Sequence, residues 1–179
     1  MYPYCEHSPG HPFHGPYHER EYGFPVESDD ILFERLALEI NQAGLSWLTV
    51  LKKREAFQEA FDHFAIEKVA QYDDTKRQQL LTNAAIIRNR LKINAVIHNA
   101  NVLLNLKESH GSFKGWLDAH HPRALPEWVK LFKKTFKFTG PEIVNEFLMS
   151  TGYLPGAHSE DCPVYSRVMK QQPAWYSES

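Results

Sequence analysis

Apolar side chains recur at helical spacing through most of the chain between residues 28 and 150. The first stripe holds Leu32, Leu36 and Ala43; Ser28 can cap its first backbone N–H groups, and Gly44 can end it in a left-handed conformation. Since no segment alternates apolar and polar residues as a strand does, the sequence predicts an all-α fold. The same spacing predicts further helices over about residues 46–61, 64–72, 73–81, 88–107, 113–119, 126–132 and 141–150.

One member of the first stripe is acidic. Glu39 lies between Leu36 and Ala43, and a carboxylate on the buried side of an amphipathic helix loses hydration, so it requires a partner or a function. Ser46 can cap the next helix and Trp47 opens it, which brings an acid and a large flat ring close together across the turn. The spacing alone also allows a Glu39 carboxylate that reaches water at the edge of the stripe, with Trp47 as an ordinary core residue.

Length and charge narrow the class of protein. The 179 residues suffice for one domain with a sizeable core, and we expect a helical body over residues 28–150 between irregular ends at 1–27 and 151–179. A formal charge of −2 means that any nucleic-acid surface is a local patch. No apolar run approaches membrane-spanning length, and the N-terminus lacks the basic and apolar regions of a signal peptide, so we expect a cytoplasmic protein. We also expect a monomer.

Cysteine and histidine residues cluster at both ends of the chain. Cys5 is followed by four histidines, the last of them His18, while His158 and Cys162 form a His-x3-Cys unit. Two such half-sites, neither complete alone, can supply four tetrahedral ligands to one zinc ion and thereby join the two ends. The alternative is a surface histidine cluster with two unrelated buried thiols, because two widely separated cysteines make no disulfide framework.

A positive patch adjoins the last predicted turn. Lys133, Lys134 and Lys137 precede Gly140, and a helix begins at Pro141. Backbone N–H groups at a helix start bind anions, most commonly phosphate. A helix, a glycine turn, a helix and lysines at the joint together suggest a helix-hairpin-helix element that grips a DNA backbone. The alternative is an ordinary amphipathic helix whose lysines face the solvent.

Several motifs occur together, in one order, over nearly the whole chain. They are Cys5 and Tyr17-His18, the segment EYGFP at 21–25, the block QAGLSWLTVLKKR at 42–54, IIRNR at 86–90, FKFTG at 136–140, and the terminal Gly152, His158 and Cys162. The block at 42–54 is long and specific. With this set of motifs the chain resembles the DNA-3-methyladenine glycosylase I family, a branch of the helix-hairpin-helix superfamily.

The resemblance implies hydrolysis of the N-glycosidic bond to a methylated, cationic adenine. The implied partner is double-stranded DNA with an alkylated base, acted on at the bacterial nucleoid, and the implied catalytic residue is Glu39. A structural zinc ion would be held by Cys5, His18, His158 and Cys162. The base-pocket positions are Tyr17, Tyr22, Trp47, His7 and His14. Our candidate DNA-contacting positions are Leu45 and, from the positive patch described above, Lys133, Lys134, Lys137 and Gly140.

The chain departs from the family pattern at five positions. His7 and Tyr22 stand where tryptophans are usual, His14 stands where a tyrosine is usual, and Ala85 and Thr135 replace glycines. A lost aromatic wall weakens base stacking, and lost turn glycines can change how closely the backbone approaches phosphate. These departures leave open a non-catalytic module that binds damaged DNA. A second alternative is a metallohydrolase in which zinc keeps an open position and Glu39 serves as general base.

Overall fold

The computed structural model describes residues 2–176, and this part of the chain contains helices but no strand. The helices are α1 (Pro3–His7), α2 (His14–Arg20), α3 (Asp29–Gln42), α4 (Trp47–Ala60), α5 (Ile66–Val69), α6 (Asp74–Thr82), α7 (Arg90–His110), α8 (Phe113–His120), α9 (Leu125–Thr135), α10 (Pro141–Ser150) and α11 (Tyr165–Met169). A 3-10 turn at Asp62–Phe64 connects α4 to α5. The prediction of an all-α fold is therefore confirmed. None of these helices is long and apolar enough to cross a membrane.

Side-chain caps fix where the predicted helices begin. The Ser28 side chain accepts a hydrogen bond from the backbone N–H of Ile31 at the start of α3. Ser46 does the same for α4, and Asp73 for α6. Helix α7 begins two residues later than predicted because Asn89 is its cap. Each cap satisfies an N–H group that the helix itself leaves without a partner.

Helix α3 is the centre of the fold and packs against α4, α7, α8 and α10. Every residue from Leu32 to Asn41 is buried, so this helix is covered on all sides and not only along the predicted stripe. Burial of each large apolar side chain stabilises the fold by about 1.5–3 kcal/mol. The helix is therefore held firmly enough to present side chains at defined positions. Aromatic residues of α8, α9 and α10 fill the core beside it, among them Phe113, Trp116, Trp128, Phe132 and Phe147.

The two ends of the chain are more regular than the sequence suggests. Helices α1 and α2 lie within residues 1–27, and α11 lies within 151–179. Five to seven residues per helix are too few for a helical period to show in the sequence. The expectation of irregular ends is thus corrected. The ends pack on each other through the buried side chains of Cys5, Phe24, Cys162, Val164 and Val168.

Helices α9 and α10 form a hairpin whose turn is held by α7. The fully buried Asn99 side chain accepts a hydrogen bond from the Lys137 N–H at 2.8 Å and donates one to the Lys137 carbonyl oxygen at 3.1 Å. Thr135 lies in the last turn of α9, before this turn, and Ala85 is exposed in a loop. Neither residue has a positive φ. Both positions therefore tolerate the loss of the glycine that is usual in the family.

Candidate active site and metal centre

A cavity of about 840 Å³ opens between the end of α3, the start of α4 and the start of α10. Its volume is in the range of small-molecule sites in proteins. Glu39 reaches the cavity from α3 and Trp47 from α4, while Tyr4, Tyr17 and Tyr22 line it from the N-terminal segment. The walls are thus mainly aromatic around one deeply placed acid. The other lining residues are Gln42, Ala43, Gly44, Leu45, Gly140, Pro141, Glu142, Ile143 and Glu146.

The Glu39 side chain is buried at the wall of this cavity, with the residue only 4% exposed. No residue in the described range 2–176 forms a hydrogen bond with its carboxylate. Burial, followed by the nearby Glu146 carboxylate, raises the pKa of Glu39 to about 8, against the opposing charge of Arg35. Glu39 therefore does not occupy the water-exposed edge position that the sequence left open. Its carboxyl group is largely protonated at pH 7 and would ionise more readily beside a bound cation.

The aromatic side chains form a continuous wall. The Tyr17 and Trp47 rings meet edge to face with centroids 5.2 Å apart. Tyr22 lies 5.7 Å from Tyr17, and Tyr4 lies 5.2 Å from Tyr22, again between ring centroids. Rings at such separations make favourable contacts with one another, and their exposed faces can stack on a flat ligand or lie against a cation.

Arg35 holds the back of this wall in place. Its Nη2 donates to the Tyr17 hydroxyl at 2.8 Å and to the Ser150 carbonyl oxygen at 3.1 Å. Its Nη1 lies 3.5 Å from a Glu21 carboxylate oxygen, and Arg54 binds both oxygens of the same carboxylate at 2.7 and 2.8 Å. Bidentate pairs of this kind fix geometry as well as charge. The Tyr17 ring is therefore anchored to α3 and, through Glu21, to α4.

Lys92 holds the turn at the cavity mouth. From α7 its Nζ donates to the Asn41 carbonyl oxygen at 2.8 Å and to the Ala43 carbonyl oxygen at 2.6 Å, which satisfies acceptors at the end of α3. Gly44 follows with a φ of +79°, so the predicted left-handed turn is confirmed. Leu45 then lies at the rim of the cavity and is 40% exposed.

His7 and His14 do not line the cavity, which corrects their assignment to the base pocket. His7 is exposed, with its Nδ1 2.7 Å from the Pro3 carbonyl oxygen. His14 packs edge-on against Tyr4, with ring centroids 5.4 Å apart. Because burial of Cys5 fixes how α1 sits on the body, Tyr4 faces the cavity and His7 faces solvent. The aromatic wall is thus completed by a tyrosine that the sequence did not single out.

The lysines of the hairpin do not line the cavity. Lys133, Lys134 and Lys137 are exposed, and no ion pair joins them to another residue between positions 2 and 176. Gly140 caps α10 and lines the cavity. The hairpin and the cavity mouth therefore share one edge of the molecule.

Cys5, His18, His158 and Cys162 form one buried cluster whose ligand atoms lie within 4.8 Å of one another. Three sulfur–nitrogen separations in it are 3.6 Å. Tetrahedral zinc, with bonds of about 2.3 Å to sulfur and about 2.05 Å to nitrogen, spaces such ligands roughly 3.6 Å apart. The His158 Nε2 donates to the Tyr22 carbonyl oxygen at 2.7 Å, which leaves Nδ1 free as a ligand. The cluster can therefore hold one metal ion with four protein ligands.

The metal cluster is separate from the cavity. None of its four ligands lines the 840 Å³ space, and all four positions of a tetrahedral ion would be taken by protein. A hydrolytic metal site keeps one position open for water. The geometry therefore does not favour a metallohydrolase.

Sequence reasoning missed four residues of the site: Tyr4, Arg35, Lys92 and Glu146. Arg35 carried a signal, because a cation four residues before Glu39 lies one helical turn from it. The others carried none. Tyr4 reaches the cavity through the metal cluster beside it, and Lys92 and Glu146 come from helices that only the tertiary fold brings to α3.

Known proteins are similar to this chain in sequence. The sequence profile of the methyladenine glycosylase family matches residues 7–129. The DNA-3-methyladenine glycosylase of Haemophilus influenzae is 34% identical, over 82% of this chain and 89% of that protein. DNA-3-methyladenine glycosylase 1 of Escherichia coli is 34% identical, over 86% of this chain and 92% of that protein.

Solved structures show the same similarity. The 3-methyladenine DNA glycosylase I from Staphylococcus aureus, solved to explain its recognition of 3-methyladenine, superposes with a TM-score of 0.81 at 35% identity, covering 89% of this chain and 95% of that one. A single-residue variant of 3-methyladenine DNA glycosylase I in complex with 3-methyladenine superposes with a TM-score of 0.80 at 34% identity, covering 89% and 96%.

Proposed function

The chain belongs to the methyladenine glycosylase family, and on that premise we propose that it removes 3-methyladenine from double-stranded DNA by hydrolysing the N-glycosidic bond. One observation carries the proposal: Glu39 is only 4% exposed, and it lines an aromatic cavity in which no described residue forms a hydrogen bond with its carboxyl group. Burying a polar group without a partner is costly, so an incoming ligand is the natural partner. A cationic purine with N–H donors supplies both the hydrogen bonds and the opposite charge.

The target base reaches this cavity only after it leaves the duplex. Extrusion of a nucleotide costs a few kcal/mol, and least for a damaged base. Stacking on Trp47 and Tyr17, at about 1–3 kcal/mol per contact, offsets that cost. Leu45 projects from the rim beside Gly44, where it can enter the space that the extruded base vacates. We assign these three side chains to base capture.

The chemistry requires little acid catalysis because the methylated base already carries a positive charge. As the bond from the sugar carbon to the base breaks, its electron pair neutralises the base, and water adds to the sugar carbon and loses a proton. Glu39 accepts hydrogen bonds from the base and, once ionised by the cation, holds the base in the reactive position. No lysine among the described residues lines the cavity, and the Lys92 amine is bound to two carbonyl oxygens. We therefore propose a monofunctional glycosylase that uses water and no enzyme amine.

The hairpin is assigned to the DNA backbone. The first backbone N–H groups of α10 lack helical partners and can bind a phosphate, with Gly140 leaving room for close approach. Lys133, Lys134 and Lys137 supply positive charge around this point. Lys137 also lines a groove of about 450 Å³ together with Arg77 and other polar side chains. Since each neutralised phosphate releases counterions, binding through this surface should weaken as salt increases.

The metal of the Cys5, His18, His158 and Cys162 cluster is proposed to be zinc. Two thiolates and two imidazoles are a donor set that zinc takes in closed structural sites, and the 3.6 Å spacing fits it. Its role would be to hold α1 and α2 against the body. The two tyrosines of these helices then stay at the cavity wall.

The proposal further takes the chain as a single domain, 1–179, that acts as a monomer on DNA of the bacterial nucleoid. One cavity beside one hairpin supplies every group that the reaction needs, so no second copy is required. Both ends pack against each other on the same body, which supports a single folding unit.

Base release from methylated duplex DNA tests the function. The protein is incubated with the DNA, and the bases released are identified by chromatography. We expect 3-methyladenine from the wild type, a rate at least about 100-fold lower for Glu39→Gln, and an unchanged rate for Glu108→Gln, an exposed residue near the end of α7. Tight binding to DNA without base release would instead identify a non-catalytic damage-binding module.

A further inference from the structure

We propose that Glu146 is a second carboxylate of the base pocket and that it restricts the pocket to positively charged bases. The inference rests on the proposed function and deepens it, because it assigns the choice of substrate class to a residue other than Glu39. Glu146 lies on α10, outside every motif by which the family was recognised.

The position of Glu146 is that of a ligand-binding group. Helix α10 packs against α3, so Glu146 and Glu39 enter the same cavity from two neighbouring helices. The Tyr22 hydroxyl donates to Oε2 of Glu146 at 3.3 Å. Among the described residues no group binds Oε1, which is therefore available to an N–H donor of a ligand.

All charged side chains that line the described cavity are acidic. Glu39, Glu142 and Glu146 are present, whereas lysine, arginine and histidine are absent from its wall. Arg35 lies behind the wall, where it is bound to the Tyr17 hydroxyl. Two carboxylates that share a buried site resist ionising together unless a cation joins them. The pocket therefore gains binding energy from a positive base that a neutral base cannot supply.

The Glu146 charge also affects the protonation of Glu39. Burial raises the pKa of Glu146, and the Glu146 charge, after burial, raises that of Glu39. Burial likewise raises the pKa of the three phenols at the wall, so they stay neutral. When a neutral ligand is bound, the pair of Glu39 and Glu146 carboxyl groups keeps its proton, whereas a bound cation causes that proton to be released. The titratable and charged groups facing the pair are Tyr4, Tyr17 and Tyr22 from the N-terminal segment, Arg35 from α3 and Glu142 from α10.

A purely structural role for Glu146 would be to hold Tyr22, and two variants separate the roles. Glu146→Gln keeps an oxygen that can accept from the Tyr22 hydroxyl but removes the negative charge. Tyr22→Phe removes that hydrogen bond and keeps the charge. Glu108→Gln is the matched control, because it removes the same charge at an exposed site near the end of α7.

The test measures binding of the free cation 3,9-dimethyladeninium and of neutral 9-methyladenine through the change in tryptophan fluorescence, and it measures 3-methyladenine release from methylated duplex DNA as a function of pH. We expect Glu146→Gln to lose roughly tenfold in base release and in affinity for the cation, while affinity for the neutral base changes less than twofold. The acidic limb of its rate profile should move to lower pH, because Glu39 has lost a neighbouring charge.

Two outcomes would overturn the inference. One is a Glu146→Gln protein with the wild-type preference for the cationic base and the wild-type pH profile. The other is a Tyr22→Phe protein that loses the preference to the same extent, which would mean that Glu146 acts only through Tyr22. A wild-type protein that releases no 3-methyladenine would refute the proposed function separately, and the binding comparison would still decide the role of Glu146.

Discussion

Replacement of Glu39 by glutamine should stabilise the fold at alkaline pH while it abolishes base release. Burial and the neighbouring Glu146 raise the pKa of Glu39 from its usual 4.5 to about 8. An acid with a raised pKa holds its proton more tightly in the folded chain than in the unfolded chain. Its contribution to stability is therefore complete below pH 4.5 and is lost as the pH rises to about 8.

The size of the effect follows from the two pKa values. Since a tenfold change in an equilibrium constant is worth about 1.4 kcal/mol, this one group lowers the free energy of unfolding by about 4 kcal/mol between pH 5 and pH 9. Glutamine has a similar shape and does not titrate. The stability of the variant minus that of the wild type should thus grow by about 4 kcal/mol over this range.

Urea unfolding at pH 5, 7 and 9 measures the difference, with Glu108→Gln as a control that should follow the wild type at every pH. Excision by the same samples shows whether the stabilised variant has lost activity. If the stabilities of Glu39→Gln and wild type run parallel from pH 5 to 9, the Glu39 carboxyl group is well solvated. The buried acid on which the proposed function depends would then not exist.

Three further changes test other parts of the site. Trp47→Ala should lower the affinity for duplex DNA with a tetrahydrofuran site by about 10–100-fold, with some fall in the melting temperature because the indole packs on Tyr17, and equal affinity in a fluorescence-anisotropy titration would remove this ring from the pocket. Metal analysis should find one zinc ion per chain in the wild type and none in Cys162→Ser, and the variant should have a lower melting temperature and slower base release from a chain that still folds; undiminished zinc would contradict the ligand set. Lys92→Met should cost about 1–3 kcal/mol in urea unfolding, because the Asn41 and Ala43 carbonyl oxygens lose their donor, and unchanged stability would argue against its bracing role.

The parts of the fold that could be predicted are those set by local rules. Ser28 and Ser46 predict the starts of α3 and α4, because a capping residue and the backbone N–H group that it binds are only three residues apart. The short helices α1, α2 and α11 could not be predicted, since they depend on contacts between the two ends of the chain. The burial of α3 on all sides from Leu32 to Asn41 could not be predicted either, because a periodic apolar stripe indicates one buried face and not what covers the other faces.

The residues of the candidate site likewise fall into those that the local sequence predicts and those that only the tertiary fold brings to the cavity. Glu39 and Trp47 were brought together by one turn, so their neighbourhood could be inferred from sequence alone. His7 and His14 were predicted to line the pocket because they occupy positions that line it in the family. In the structure Tyr4 lines the cavity instead, because the buried Cys5 fixes the position of α1. The contribution of Glu146 could not be foreseen, since only the packing of α10 on α3 brings it to the cavity.

The burial of the Glu39 carboxyl group explains why the residues around it are held in place by so many contacts. A buried carboxyl group without a partner would lower its free energy by moving to water, so it stays in place only if the walls around it cannot yield. Arg35 ties the wall to two other segments, and Lys92 fixes the turn through two carbonyl oxygens. These contacts offset part of the free energy that burying Glu39 costs. They also keep its carboxyl group at the position where a bound cationic base would donate hydrogen bonds to it. Arg35 and Lys92, which were not singled out from the sequence, therefore keep Glu39 in the position where it can bind a ligand.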